Sequence, residues 1–262
     1  MEKISQKKKY QIRQTRLYNP HSSEPFPLSR SKIEDFLACP RCFYMDRRLG
    51  AGKPETPPFT LNKAVDELLK KEFDRYRAQK EPHPIMTEFG VNAIPFQHEN
   101  LQSWRENFEG IRYHHRESNF IVFGAIDDVW QDVSNSELIL LDYKATASLK
   151  EASLDSEWRA SWKRQIEVYQ WLFRRNGFRV SKTGYFVYCN ANVAEEIFGG
   201  ALKFKIVLLP YEGDDSWVEG KLLEARDCLH ADRIPEPDPN CDYCAYRKSS
   251  AILAQKYGKA NG

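Results

Sequence analysis

Two runs, FIVFGAIDDVW at residues 120–130 and LILLDYKATA at residues 138–147, decide how this chain folds. Both are rich in Ile, Val, Phe and Leu, and the Asp-, Ser- and Asn-rich segment 131–136, with Glu137 at its edge, separates them as a hairpin loop. If the hairpin is symmetric about the Ser134–Asn135 junction, Asp127 opposes Asp142 and Ala125 opposes Lys144, with Cβ atoms about 4.5–5.5 Å apart in each pair. Side chains alternate along a strand, so Lys144 shares the face of Asp142 while Tyr143 points away. Facing carboxylates at the end of apolar strands repel each other and are partly desolvated, and something has to compensate. Lys144 can do so as a structural ion pair. Alternatively Asp127, Asp142 and the Tyr143 carbonyl hold Mg²⁺ or Mn²⁺ as hard oxygen ligands, and Lys144 contacts an attacking water or a scissile phosphate, the pattern of metal-assisted hydrolysis.

Outward from the hairpin, strand-like runs are expected at about 91–97 and 110–115 before it and at 182–190 and 202–209 after it, with the hairpin strands themselves at 120–131 and 137–146. A helix begins near Ser31, where Glu34 gives a capping-box spacing. Others span about 59–78, with Leu61, Val65, Leu68, Leu69, Phe73 and Tyr76 as an apolar stripe, 157–176, with Trp158, Trp162, Ile166, Tyr169 and Phe173, and 215–230. This order gives one α/β domain on a mixed sheet over residues 29–257, preceded by a mobile basic arm (1–28) and followed by a short tail (258–262).

The 262 residues carry 39 Lys and Arg against 37 Asp and Glu, a net charge of +2, which excludes a polycation and confines any nucleic-acid surface to a local patch. With a mean hydropathy of −0.65, no run approaches the roughly 18 apolar residues of a spanning helix. The opening MEKISQKKKYQIRQTR has no secretory pattern, so a cytoplasmic protein with reduced cysteines and no membrane partner is expected. Cys39-Pro-Arg-Cys42 and Cys241-Asp-Tyr-Cys244 together supply four thiolates, enough for tetrahedral zinc or a 4Fe-4S cluster, while Cys189 and Cys228 read as core.

The ordered set Gly124-x-x-Asp127, Asp142-x-Lys144 and Gln165-x-x-x-Tyr169, together with the opening LSRSKIEDFLACPRCFYM, resembles the RecB-type branch of the PD-(D/E)XK nuclease superfamily, notably the AddB nuclease domain and the CRISPR-associated RecB-like exonucleases. The resemblance covers about residues 28–250. It implies a restriction-endonuclease-like mixed central sheet flanked by helices, with a cysteine metal clip joining the N- and C-terminal segments. It also implies a Mg²⁺- or Mn²⁺-dependent deoxyribonuclease of DNA repair, recombination or defence, with exonuclease action as one form of it, in which Gln165 and Tyr169 orient substrate phosphates or Lys144. No phosphate-binding glycine loop is present, so any unwinding would come from a helicase, repair or CRISPR partner.

Two departures stand out. Members usually carry a histidine in a G-x-x-x-H pattern of the early helix; here Asn62-Lys63-Ala64-Val65-Asp66 leaves Asp66 as a third carboxylate ligand. They also often hold an iron–sulfur cluster by one early cysteine and a late C-x2-C-x5-C, whereas here the last position is Ser250 and Cys42 is extra, so that a 2+2 arrangement replaces 1+3, with iron–sulfur slightly favoured over zinc. A chain that retains the fold but has lost activity, binding DNA or a helicase partner, is the alternative. Phosphate contacts are expected from Arg41, Arg47, Arg48 and Lys53 near the cysteines and from Arg159, Lys163, Arg164, Arg174 and Arg175 on the long helix.

Overall fold

The computed structural model describes residues 12–54, 59–149, 152–156 and 159–258. Its chain order is β1 (Phe26–Ser29), α1 (Arg30–Ala38), α2 (Pro40–Arg47), α3 (Thr60–Gln79), α4 (Pro84–Glu88), β2 (Ala93–Pro95), α5 (Leu101–Arg105), β3 (Ile111–His115), β4 (Phe120–Gly124), β5 (Asp128–Asp132), β6 (Leu138–Thr146), α6 (Ala160–Arg175), β7 (Thr183–Ala191), β8 (Phe204–Glu212), α7 (Val218–His230) and α8 (Asp242–Tyr257). The main sheet has the order β2-β5-β6-β7-β8. Only β6 and β7 run parallel in it, joined across α6, so the sheet is mixed as expected.

The hairpin register holds within the ladder, where Asp128 pairs with Leu141, Val129 with Leu140 and Gln131 with Leu138. The ladder begins at Asp128, however, so Asp127 and Ala125, expected as strand partners of Asp142 and Lys144, lie instead in the bend before it. Alternation then sorts the faces of β6. Leu138 and Leu140 pack with Val168, Tyr169 and Leu172 of α6, while Ile139, Leu141 and Tyr143 pack with Leu69 and Phe73 of α3. Asp142 and Lys144 therefore point to the α6 side.

The expected strand 120–131 is two strands. β4 belongs to a separate sheet, β1-β4-β3, and the chain bends through residues 125–127 before β5 joins the main one. The backbone groups released at the bend find partners elsewhere: Ile126 N–H donates to the Trp104 carbonyl at 3.0 Å, and the Ala125 carbonyl accepts from the Tyr169 hydroxyl. Apolar alternation runs across the break because Ile126 is still buried, now by the bend itself.

Three further corrections concern the N-terminal half. The basic arm ends well before residue 28: residues 1–11 lie outside the described residues, but Arg13 bonds Asp46, Tyr18 is buried, and Phe26–Ser29 pairs parallel to β4. No capping box forms, since Ser31 Oγ shares a 2.9 Å hydrogen bond with Ser29 Oγ and Glu34 bonds Arg164. On α3, Leu69 and Phe73 are core, but Leu61 and Leu68 are exposed, because a single stripe of the helix meets the sheet. Residues 157 and 158, expected at the start of α6, and the tail residues 259–262 lie outside the described residues.

Candidate active site and metal clip

Asp127 stands in the bend just before β5, half-buried, and its Oδ2 accepts the backbone N–H of Tyr143 at 2.7 Å. This bond brings it to the end of β6 beside Asp142, which is 1 % exposed. Burial first, and then repulsion from Asp142, pushes the Asp127 carboxyl up to about 6. Lys144 Nζ makes an ion-pair contact with Asp142 without hydrogen-bond alignment, and it lies 5.2 Å from the Trp162 ring centroid.

From Lys144 a polar chain crosses to α6. Its Nζ is 3.5 Å from Gln165 Oε1, Gln165 Nε2 is 3.0 Å from the Tyr169 hydroxyl, and that hydroxyl donates to the Ala125 carbonyl. Gln165 and Tyr169 are one helical turn apart, so both reach the sheet. The chain thus closes on the bend that carries Asp127. Gly124 is what lets Tyr169 in: a Cβ there would lie 2.7 Å from the Tyr169 ring.

Asp66 approaches from α3. It and Asp127 line one cleft of about 470 Å³, together with Lys63, Lys70, Lys71 and Arg105. Lys70 Nζ pairs with Asp66 Oδ2 at 2.8 Å, while burial and the nearby Asp127 raise the Asp66 carboxyl above the usual carboxylate range. Asp66 Oδ1 and both Asp142 oxygens are buried without a hydrogen-bond donor. Buried acceptors of this kind, all oxygen and all carboxylate, fit a hard divalent cation. The three carboxylates are not gathered as closely as the four thiols described below, the one group of three or more metal-ligating side chains among the described residues whose atoms all lie within 4.8 Å of one another.

Sequence reading missed the support beneath this site. Asp128, fully buried on the opposite face, accepts from Arg77, from Arg105 at 2.9 Å, from the Tyr143 hydroxyl at 2.9 Å and from the Val129 N–H at 2.8 Å. Asp74 joins both arginines. The network ties α3 and α5 to β5 immediately beside Asp127. Its signal in the sequence was Arg77, four residues after Phe73 on the apolar stripe of α3.

The basic residues are dispersed. Arg159 is enclosed rather than offered to solvent, stacked 5.2 Å from Trp162 and 5.4 Å from Tyr188. Lys163 lies 5.6 Å from the Tyr211 ring, Arg164 bonds Glu34, Arg174 pairs with Asp215 and Arg175 with Glu219. Arg47 binds Asp46, Arg48 the Tyr18 carbonyl and Lys53 Asp35, while Arg41 borders a groove with Arg247 and Lys248.

Cys39 and Cys42, at the start of α2, meet Cys241 and Cys244 at the start of α8. The Sγ separations are 3.9 Å for Cys39–Cys244 and 3.6 Å for both Cys42–Cys241 and Cys42–Cys244. These are far beyond the roughly 2.05 Å of a disulfide. Thiolates bound at about 2.3 Å to one tetrahedral ion stand about 3.8 Å apart, and the observed spacing agrees. A cubane cluster spreads its thiolates much wider, since each binds a different iron. The Asp238 N–H points at Cys39 Sγ at 3.5 Å. Burial opposes ionisation of Cys39, but this donor, the Cys42 N–H and the neighbouring thiols outweigh it and bring the thiol down to about 7. Cys189 is buried as expected; Cys228 is half-buried, with its Sγ 3.8 Å from the Pro40 carbonyl.

A family model, the PD-(D/E)XK nuclease superfamily, matches residues 60–249. The chain belongs to the PD-(D/E)XK nuclease superfamily. That membership supports a nuclease-like hydrolase whose relatives typically use divalent metals. The matched residues include Asp66, Asp127, Asp142, Lys144 and the late cysteines, while Cys39 and Cys42 precede them and are joined to them by the clip. No curated protein sequence matches the chain. No helix among the described residues is long and apolar enough to cross a membrane.

Proposed function

We propose that this superfamily member is a Mg²⁺- or Mn²⁺-dependent nuclease of the RecB-like branch that hydrolyses phosphodiester bonds in DNA. The observation that carries the reading is the approach of Asp127 to the buried Asp142 across the Tyr143 N–H bond, with Lys144 on the same face. Asp127, Asp142 and Asp66 are the ligands for the divalent ion, with the Tyr143 carbonyl as a further oxygen. When bound, the ion supplies charge screening at the phosphate and a more acidic water. Lys144 presents its N–H groups to a non-bridging phosphate oxygen or to the attacking water, and Gln165 and Tyr169 hold it on the Asp127 side. The four thiolates hold structural zinc rather than a cluster, and the spacing of the sulfurs favours this assignment.

Alanine at Asp142 or Lys144 is expected to lower metal-dependent cleavage of DNA by at least about a hundredfold, the scale of losing one charge-stabilising group. Melting of Asp142→Ala without added Mg²⁺ or Mn²⁺ should stay near wild type, because Asp142 is repelled by Asp127, whereas Lys144→Ala leaves the buried Asp142 carboxylate uncompensated and should lower it. A collapse in stability with cleavage retained would assign the pair to a structural salt bridge. One observation favours a second reading, a weakened enzyme that binds DNA or a helicase: Lys70 occupies Asp66 where relatives carry histidine. Wild-type protein that binds DNA but cuts none under Mg²⁺ or Mn²⁺ would establish it.

A further inference from the structure

Arg30 opens α1 directly after Ser29, which pairs with Phe123 at the end of β4. It lies against the same glycine as Tyr169: a Cβ built on Gly124 would be 3.4 Å from the Arg30 Cβ and 2.7 Å from Tyr169 Cε1. Arg30 and Tyr169 therefore flank the point where the chain turns through residues 125–127 towards the carboxylates. Burial pushes the Tyr169 phenol up to about 12, and the nearby positive charge of Arg30 works against that rise.

Arg30 is half-buried as a residue, its guanidinium nitrogens remain open to solvent, and they make no hydrogen bond or ion pair among the described residues. Arg13, Arg47, Arg105, Arg164 and Arg174, comparably enclosed, each reach a carboxylate. The acids of α1 are already engaged, Glu34 by Arg164 and Asp35 by Lys32 and Lys53. Asp127 and Asp142 have Tyr143 N–H and Lys144. A guanidinium that water reaches and that no carboxylate engages is open to an incoming anion, and its planar fork suits two oxygens of one phosphate. On the other flank of Asp127 the cleft carries Lys63 and Lys71 of α3 among the acids Glu67, Asp74 and Glu106, with Lys70 engaged by Asp66. On the α1–α6 side, by contrast, Arg30 is a cation that no carboxylate engages.

We propose that Arg30 binds the phosphate next to the scissile one, on the α1–α6 side of the site, so that the protein engages a strand through at least two successive phosphates. This deepens the nuclease reading and rests on it.

The test compares wild type, Arg30→Gln and Arg30→Lys on two probes. One is a short single-stranded DNA oligonucleotide, bound with Ca²⁺ in place of Mg²⁺ and cleaved with Mg²⁺. The other is bis(p-nitrophenyl) phosphate, which carries a single phosphate. Loss of a charge-assisted contact is expected to weaken oligonucleotide binding by about ten- to a hundredfold in Arg30→Gln and to raise KM accordingly, with partial recovery in Arg30→Lys. Hydrolysis of the single-phosphate ester should be unchanged. One neutral methylphosphonate linkage, scanned along the oligonucleotide, should weaken wild type at a single position and leave Arg30→Gln unaffected there. Equal affinity of wild type and Arg30→Gln would overturn the proposal. So would an equal loss on both probes, or a lowered melting temperature accompanying it, which assigns Arg30 to the fold. If wild type cleaves neither probe, the nuclease reading fails, while the methylphosphonate scan still decides Arg30.

Discussion

At the scale of single residues, the site is built by making ionisation costly and then supplying what relieves the cost. Asp127, ordinarily near 3.8, is pushed up to about 6. Between those values the unfolded chain ionises this group while the folded chain keeps its proton. Stability without Mg²⁺ or Mn²⁺ should therefore fall as pH rises from about 4 to about 6, by at most about 3 kcal/mol. Asp127→Asn has no such group, so its melting temperature relative to wild type should climb through this window and level off above it. A flat difference would show that the carboxyl is not strained. Saturating Mg²⁺ favours the ionised form and should reverse the slope, and metal affinity should drop below about pH 6 as protons compete. Asp66→Asn should weaken metal binding as well, since its buried Oδ1 has no other donor. The nearness of Asp127 to Asp142 was legible in the sequence because a symmetric loop and two apolar runs fix the hairpin register, but that Asp127 reaches it from a bend, through the Tyr143 N–H, and not as a strand partner was not. The Asp128–Arg77–Arg105 network was not, because its members are 51 and 23 residues apart and only folding brings them together.

At the scale of elements, the decisive event is the break between β4 and β5. Apolar periodicity could not reveal it, since Ile126 satisfies a strand pattern and a bend equally. The break is instead enforced by partners from distant helices, Trp104 of α5 and Tyr169 of α6, each capturing a backbone group of the bend. Gly124 is the hinge of that arrangement, and its lack of a side chain is a steric requirement. In Gly124→Ala the new methyl would press on the Tyr169 ring. Overpacking of this kind costs about 1–3 kcal/mol, and an ångström of displacement at a reacting centre can cost about a hundredfold in rate. The expected outcome is a modest loss of stability with a severe loss of cleavage. Tyr169→Phe, which keeps the ring and removes the hydroxyl, should cost about 1 kcal/mol of stability and a smaller part of the activity. An active Gly124→Ala variant would separate Tyr169 from the positioning of Asp127.

At the scale of the whole molecule, the cysteine clip joins segments about 200 residues apart, and it is the attachment on which α8 depends. None of the residues of that 16-residue helix is buried, so little apolar packing holds it to the body. The spacing of the two Cys-x-x-Cys pairs made the clip legible in the sequence, but zinc and a cluster accept the same spacing, so the zinc proposed for it rests on the distances between sulfurs and is decided by metal analysis. Protein purified without oxygen should carry one zinc per chain and be colourless. Closing so long a loop restricts the unfolded chain strongly, and structural metal binding is itself folding free energy. Removing the ion, or replacing Cys42 or Cys244 by serine, should cost about 3–5 kcal/mol, roughly 10 °C in Tm for a chain of this size. The loss should also be graded in space. The core strands β5–β7, closed by Leu140, Leu141, Val187 and Phe186, do not touch the clip and should stay protected from exchange. The first change on chelation should be release of α8, seen as trypsin cleavage at Arg247 and Lys248 ahead of any site in the body. If the metal is removed and α8 resists trypsin as before, the clip is not what anchors it. If the purified protein contains iron and sulfide with visible absorption, the sulfurs open out around a cluster and the zinc assignment falls, leaving the carboxylate site untouched.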